Sequence, residues 1–184
     1  MQRENTAKVI QSVKADVQCL VEVEDRPSID AFDGDLLKSA FRYNMVIDGF
    51  DPRGIDVGFF SKLPIRSLRT HIFDVDSDGK RVFSRDCLQV ELETPSGASL
   101  HLLINHFKSQ GYGVAAENDA KSTKQATAVA KIIKADHNLS KDLVAVVGDF
   151  NDAPARQPLT LKPLLGVPGL HDVLALQFPT AADR

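Results

Sequence analysis

The sequence has no tryptophan, only two cysteines, and no apolar run near the roughly 20 residues that a membrane-spanning helix needs. Met1-Gln2-Arg3-Glu4-Asn5-Thr6 lacks the apolar core of a secretory signal, so a cytoplasmic location is the default expectation. Cys19 and Cys87 stand far apart, and no Cys-x-x-Cys or Cys/His ligand spacing accompanies them, which argues against a structural zinc site. Each lies in an apolar, strand-like run and reads as a buried free thiol; a disulfide between them is not decided by sequence. An excess of basic charge is missing too: the net charge is −3 and the isoelectric point about 5.9. That excludes a globally basic nucleic-acid binder and leaves room for a local basic patch. No internal repeat, low-complexity segment or linker divides the 184 residues, so one domain over 1–184 is expected. At that length a core can be buried without disulfide staples.

What is present is a succession of short helices and strands. Val9, Ile10 and Val13 predict an amphipathic helix over 6–15. Val17–Val23 reads as a buried strand closed by Pro27, and a helix over 29–40 follows with Gly34 inside it. Strands are expected at 55–60 and 65–75, separated by Leu63-Pro64. Leu88, Val90 and Leu92 alternate with Gln89, Glu91 and Glu93, the mark of a strand wet on one face. Ser96-Gly97 turns that strand into Leu100–Asn105 as a hairpin. The longest helix runs from Glu117 to about His137, with Ala126, Val129, Ala130 and Ile133 on one face. Its lysines, Lys121, Lys124, Lys131 and Lys134, read as a solvated surface. Leu143–Gly148 reads as a central strand, and one short helix is expected near 159–165 before the chain ends at Ala182-Asp183-Arg184. Hairpins mixed with helices on apolar strands predict an α/β fold, a sandwich of two packed sheets covered by helices.

Polar residues gather at the ends of these strands. Asp149 and Asn151 follow the most apolar strand, where α/β sheets place their ligands. In an extended chain they point the same way, a carboxylate and an amide able to hold a water and a phosphoryl oxygen together. An Asx-rich turn is the plainer alternative. His106 shares parity with Leu100, Leu102 and Ile104 and so faces the interior, where a satisfied core histidine is the commoner role. The adjoining Lys108 and Ser109 suit anion binding. Glu22 lies on an otherwise apolar strand, where a carboxylate calls for a salt bridge or a hard cation such as magnesium. Glu24 has the same parity but sits nearer the strand exit. Arg53, before Gly54, is either a bidentate phosphate ligand or an ordinary loop arginine. Asp74–Gly79 looks like half of a calcium loop, but the twelfth position is Arg85 rather than glutamate, so a hairpin tip on Asp78-Gly79 is expected. Between Arg53 and Arg85 stand seven Lys/Arg against four Asp/Glu, a local net charge of +3 that marks the side for an anionic ligand.

Taken in order, these segments resemble the endonuclease/exonuclease/phosphatase superfamily, whose fold is that of pancreatic-type deoxyribonuclease. The matching stretches are Ala15–Val17 through Leu20–Glu24, Arg53–Ser61, Asn105-His106-Phe107-Lys108-Ser109 and Gly148-Asp149-Phe150-Asn151-Asp152. Gly111-Tyr112-Gly113 and Glu117-Asn118 further resemble a bacterial subgroup of hydrolases in that superfamily. The resemblance implies a four-layer α/β sandwich and in-line hydrolysis of a phosphate ester with Mg²⁺ or Mn²⁺. It implies that Glu22 binds the metal, that Asp149 orients or deprotonates the attacking water, and that Asn151 contacts the phosphoryl group. His106 would stand beside the scissile phosphate, with Arg53, Asn105 and Lys108 on the substrate. The implied partner is a phosphate-ester substrate, nucleic acid among the candidates, with no obligate protein partner. The family opens with a strand carrying an Asn and closes with an Asp and an Asp-His pair. His171-Asp172 has the reverse order and resembles the element just before that pair. The expectation is therefore a fragment, incomplete at its N- and C-terminal strands, that carries half of a catalytic site and turns over little alone.

Two rivals are weaker. A dinuclear metallophosphoesterase also uses Gly-Asp and Asn-His pairs, but needs an early Asp-x-His that none of the five histidines provides. A non-catalytic scaffold that keeps the fold is the rival of another class, and magnesium affinity in Glu22→Gln separates it from an enzyme.

Overall fold

The computed structural model describes residues 2–153 and 159–177. The terminal Ala182-Asp183-Arg184 lies outside them. The chain opens with α1 (Gln2–Val13), which leads into strand β1 (Val17–Val23). Helix α2 (Arg26–Phe32) follows and runs into a π-helical turn over Asp33–Leu37. Pro27 therefore does not end the strand; it sits in the first turn of α2, where its missing N–H costs nothing. Asp25 caps that helix by accepting a hydrogen bond from the Ser28 N–H at 2.7 Å.

Strands β2 (Tyr43–Val46) and β3 (Asp56–Ser61) complete a three-stranded antiparallel sheet of order β1-β3-β2. The second sheet holds β4 (Ile65–Arg69), β5 (Cys87–Glu93), β6 (Ser99–His106) and β7 (Leu143–Asp149), in that order. Its first pairs are antiparallel and β6-β7 is parallel. A parallel pair needs a crossover, and the 22-residue α3 (Ala115–Asp136) supplies it. The short helices α4 (Lys162–Leu165) and α5 (Val173–Gln177) follow.

Strand alternation divides the apolar residues into three cores. Val57 and Phe59 of β3 meet Leu88, Val90, Leu92, Leu102 and Ile104 between the sheets. Phe60, of opposite parity, packs with Ala7, Ile10, Ile29 and Phe41 under α1 and α2. Cys87, Leu103 and Phe107 face the other way, onto Ala126, Val129 and Ile133 of α3. The result is four layers, helix–sheet–sheet–helix, as the sequence predicts.

Several element boundaries differ. Helix α1 begins at Gln2 rather than residue 6, and α2 starts three residues before the expected Ile29. The strand expected over 65–75 stops at Arg69, which pairs with Gln89; beyond it the His71 N–H turns to the Asp86 carboxylate at 2.8 Å in place of a ladder partner. Strand β7, read as central, is an edge of its sheet among the described residues. The Asp74–Gly79 segment is indeed a hairpin tip, with the Asp76 N–H donating to the Lys80 carbonyl at 2.8 Å. Cys19 and Cys87 are both free thiols.

Candidate functional site

The parallel register of β6 and β7 places His106 directly opposite Asp149 at the ends of their strands. His106 Nε2 lies 3.9 Å from Asp149 Oδ2, an ion-pair distance too long for a direct hydrogen bond. The imidazole is 3% exposed and the carboxylate 51%, so the pair joins a buried base to a solvent-facing acid. His106 Nδ1 has no hydrogen-bond partner among the described residues. Burial first, then the positive charge of Arg85, holds the His106 pKa below its ordinary value, with Asp149 opposing. A neutral imidazole at pH 7 follows.

Asn151 reaches the same place by a different route from the one expected. The chain does not stay extended: Asn151 adopts a left-handed φ of 50°, and Asp149 Oδ1 accepts its backbone N–H at 2.8 Å. This is an Asx-type turn. It swings the Asn151 amide back so that Nδ2 donates to the Phe107 carbonyl at 3.1 Å, beside His106.

Glu22 also corrects its expectation. The β1 register slips between Val21 and Val23, and Glu22 takes a left-handed φ of 58° in the bulge. The bulge turns its side chain into solvent, so it is exposed rather than buried on an apolar strand. A non-glycine residue held at positive φ carries backbone strain of order 1 kcal/mol, which accumulates at functional sites. The Glu22 charge acts on Arg53, Arg85 and His106, which places it in their shared field. A cavity of about 660 Å³ opens beside it, between β1 and the helices α1 and α2.

Arg53 enters through Asp51. Its guanidinium donates to both oxygens of that carboxylate, at 3.0 and 3.2 Å. Asp51 Oδ2 also accepts from Arg85 Nη1 at 2.9 Å, and its pKa is pulled down to about 2, chiefly by the hydrogen bond from Arg53. Arg85 uses the rest of its fork on the protein backbone: Nε donates to the His106 carbonyl at 3.0 Å and Nη2 to that of Phe107. Phe107 thus accepts from both Arg85 and Asn151, which joins the two halves of the site.

Two of the sequence-predicted residues stand apart. Asn105 alternates with His106 and so projects to the other face, fully buried, with Nδ2 on the Leu103 carbonyl at 2.9 Å. The Lys108 ammonium is spent on the Ser109 and Tyr112 carbonyls at 2.8 and 3.1 Å. Asn118 of α3 also grips the Tyr112 carbonyl, and Gln125 accepts the Lys108 N–H, so this loop is tied to the helix.

Sequence reasoning missed Asp51, Arg85 and Lys121. Arg85 was visible as the residue that spoils a calcium loop and as the end of the basic segment, with no role of its own. Lys121 is half-buried on α3, its pKa held down by burial and then by Arg85 and Lys108.

The layers and this strand-end constellation define an α/β sandwich of the deoxyribonuclease type. The chain belongs to the endonuclease/exonuclease/phosphatase family, whose model matches residues 2–165. A mutant of Staphylococcus aureus beta toxin solved with bound magnesium ions shares the fold: 19% identity, a TM-score of 0.70, 94% of this chain and 64% of that one. D. rerio TDP2 complexed with a single-strand DNA product matches over 98% of this chain and 64% of its own, at 18% identity and a TM-score of 0.69. ANGEL2, a 2′,3′-cyclic phosphatase, matches over 82% and 43%, at 19% identity and 0.57. The chain spans about two thirds of the length of the first two structures. No curated protein matches its sequence. No helix is long and apolar enough to cross a membrane among the described residues.

Among those residues no group of three or more His, Cys, Asp or Glu could hold a metal ion. The donor set fits one kind of cation all the same. Mg²⁺ keeps most of its waters and binds through one or two carboxylates plus substrate phosphate, and Glu22 offers one exposed hard carboxylate.

Proposed function

We propose that this chain builds the site of a metal-dependent phosphodiester hydrolase that works by in-line attack of water. The observation that carries the reading is the meeting of buried His106, exposed Asp149 and the Asn151 amide within one cluster, flanked by Arg53 and Arg85. Family membership supports phosphoester hydrolysis as the class of reaction.

In this reading the exposed Asp149 carboxylate orients the attacking water and takes its proton. The Asn151 Nδ2 group donates to a phosphoryl oxygen, and Arg53, its Nε and Nη2 held by Asp51, meets the phosphate charge through its remaining N–H groups. His106, neutral and buried, hydrogen-bonds through Nε2 as the phosphate turns over. Glu22 would hold Mg²⁺ or Mn²⁺, which when bound would supply positive charge against the negative charge developing on the phosphoryl and leaving-group oxygens.

The test is Mg²⁺-dependent hydrolysis of bis-p-nitrophenyl phosphate, run on this chain and on the chain extended at both ends by its flanking coding sequence. Loss of turnover by roughly a hundredfold or more in His106→Ala and Asp149→Asn, in whichever form is active, supports the reading. No Mg²⁺-dependent turnover in either form, or turnover indifferent to both changes, overturns it in favour of a non-catalytic scaffold.

A further inference from the structure

Phe50 and Phe73 stand open to solvent, 47% and 66% exposed, and neither belongs to any of the three cores. Their rings meet edge to face with centroids 5.9 Å apart. Arg81 lies over both, its guanidinium carbon 3.7 Å from the Phe50 centroid and 5.4 Å from that of Phe73. At 3.7 Å the guanidinium is in close cation–π contact with the ring. It is anchored as well, because Nη1 donates to the Ile72 carbonyl at 3.3 Å. Arg81 is itself exposed.

This patch adjoins the candidate site directly. Phe50 precedes Asp51, the carboxylate shared by Arg53 and Arg85. On the far side Lys124 of α3 clasps Asp76 at 2.7 Å and ties the hairpin carrying Arg81 to that helix. One turn earlier on α3 stands Lys121, half-buried and with no hydrogen bond or ion pair among the described residues. Exposed Phe50 and Phe73, the Arg81 guanidinium over both rings, and Lys121 therefore stand together beside the candidate site.

We propose that Phe50, Phe73 and Arg81 form a base-stacking platform for a single-stranded polynucleotide, whose phosphates run along Lys121 towards Arg53. This deepens the phosphodiesterase reading and rests on it for the strand's entry into the site. Aromatic faces and guanidinium planes are what unpaired bases stack upon, while a cationic groove follows the backbone. Charge complementarity favours this occupant: exposed Arg81 and half-buried Lys121 each form no ion pair among the described residues, so both charges are open to phosphate. In a duplex the base faces are covered, so a single strand is required. A lipid surface is the poorer match, because Arg81, Asp51 and Asp74 would be carried into it beside two small apolar groups.

The experiment is fluorescence anisotropy of a short labelled oligothymidylate in EDTA, where binding is read without turnover. Phe73→Leu and Arg81→Ala each weaken binding by about tenfold, and Phe73→Tyr restores the affinity of the parent. Lys121→Ala lowers the slope of log affinity against log salt by about 0.7. A duplex of the same length binds more weakly and ignores Phe73→Leu. Oligothymidylate that does not bind, or binds equally well to Phe73→Leu and Arg81→Ala, overturns the platform. So does Phe73-dependent binding to phosphatidylcholine vesicles in place of the oligonucleotide. Absence of Mg²⁺-dependent hydrolysis with binding intact would count against the enzyme reading alone.

Discussion

Arg85 and Asp51 form a 2.9 Å ion pair whose side chains are 3% and 7% exposed. A buried pair is stable only while every partner is present, and here the same guanidinium also satisfies the carbonyls of His106 and Phe107. Burial lowers the Arg85 pKa and Asp51 raises it, yet the group remains fully charged at any ordinary pH. Arg85→Met removes three hydrogen bonds, takes a donor from the His106 carbonyl and leaves that of Phe107 with Asn151 alone. It should cost about 3–5 kcal/mol in urea unfolding, and Arg85→Lys should recover less than half, because an ammonium cannot reproduce the fork. A loss below about 1 kcal/mol would reduce the pair to a surface ion pair.

The fold was legible wherever apolar alternation decides burial, and illegible where partners decide it. Leu88, Val90 and Leu92 announce β5, and Phe59 and Phe60 face different layers by parity alone. Tyr43-Asn44-Met45-Val46 has no alternation, and it is a strand because β3 pairs with it. At the site, the parity that turns His106 inward also turns Asn105 away, so their separation onto two faces was readable in the sequence. The bulge that exposes Glu22 was not, since nothing in the residue pattern marks a one-residue slip in register. Nor was the Arg85–Asp51 pair, whose members lie 34 residues apart in the chain.

Glu22 is the residue on which metal binding can be read without catalysis. Glu22→Gln keeps size and hydrogen-bonding capacity but removes the charge. Because the side chain is exposed, the unfolding midpoint should stay unchanged. Isothermal titration with Mg²⁺ should show affinity lowered by about tenfold or more. Equal Mg²⁺ affinity in the two proteins would remove Glu22 from the metal site.

Two histidines make the fold sensitive to mild acid. Burial holds His106 and His137 below the ordinary 6.5, with Arg85 adding to the first shift and His101 to the second. Each therefore binds its proton more weakly when folded than when unfolded. As pH falls below about 6.5 the unfolded chain protonates first, so stability declines until the folded pKa values are passed and then levels off. Urea midpoints measured between pH 7.5 and about pH 5 should fall, and His106→Gln with His137→Gln should flatten that slope. An unchanged slope in the double variant would place the sensitivity elsewhere.

Gly148 is the position at which the site is least tolerant of a side chain. It precedes Asp149, pairs with Asn105 across the parallel strands, and holds a φ of 132°. A Cβ there would stand 1.8 Å from the Asn105 carbonyl oxygen and 2.8 Å from its carbon, both of them backbone atoms that cannot step aside. The contact lies within the ladder that sets His106 opposite Asp149, so relief can come only by parting β6 from β7. Gly148→Ala should then cost about 3 kcal/mol or more, the sum of overpacking and backbone strain. Gly54 offers the comparison, since its φ of 63° is also positive but nothing lies within 4 Å of its Cβ position. Gly54→Ala should cost only about 1 kcal/mol, as expected for φ strain alone. Urea unfolding of the two variants side by side separates close approach from conformation, and equal losses would show that the Asn105 contact relaxes without parting the strands.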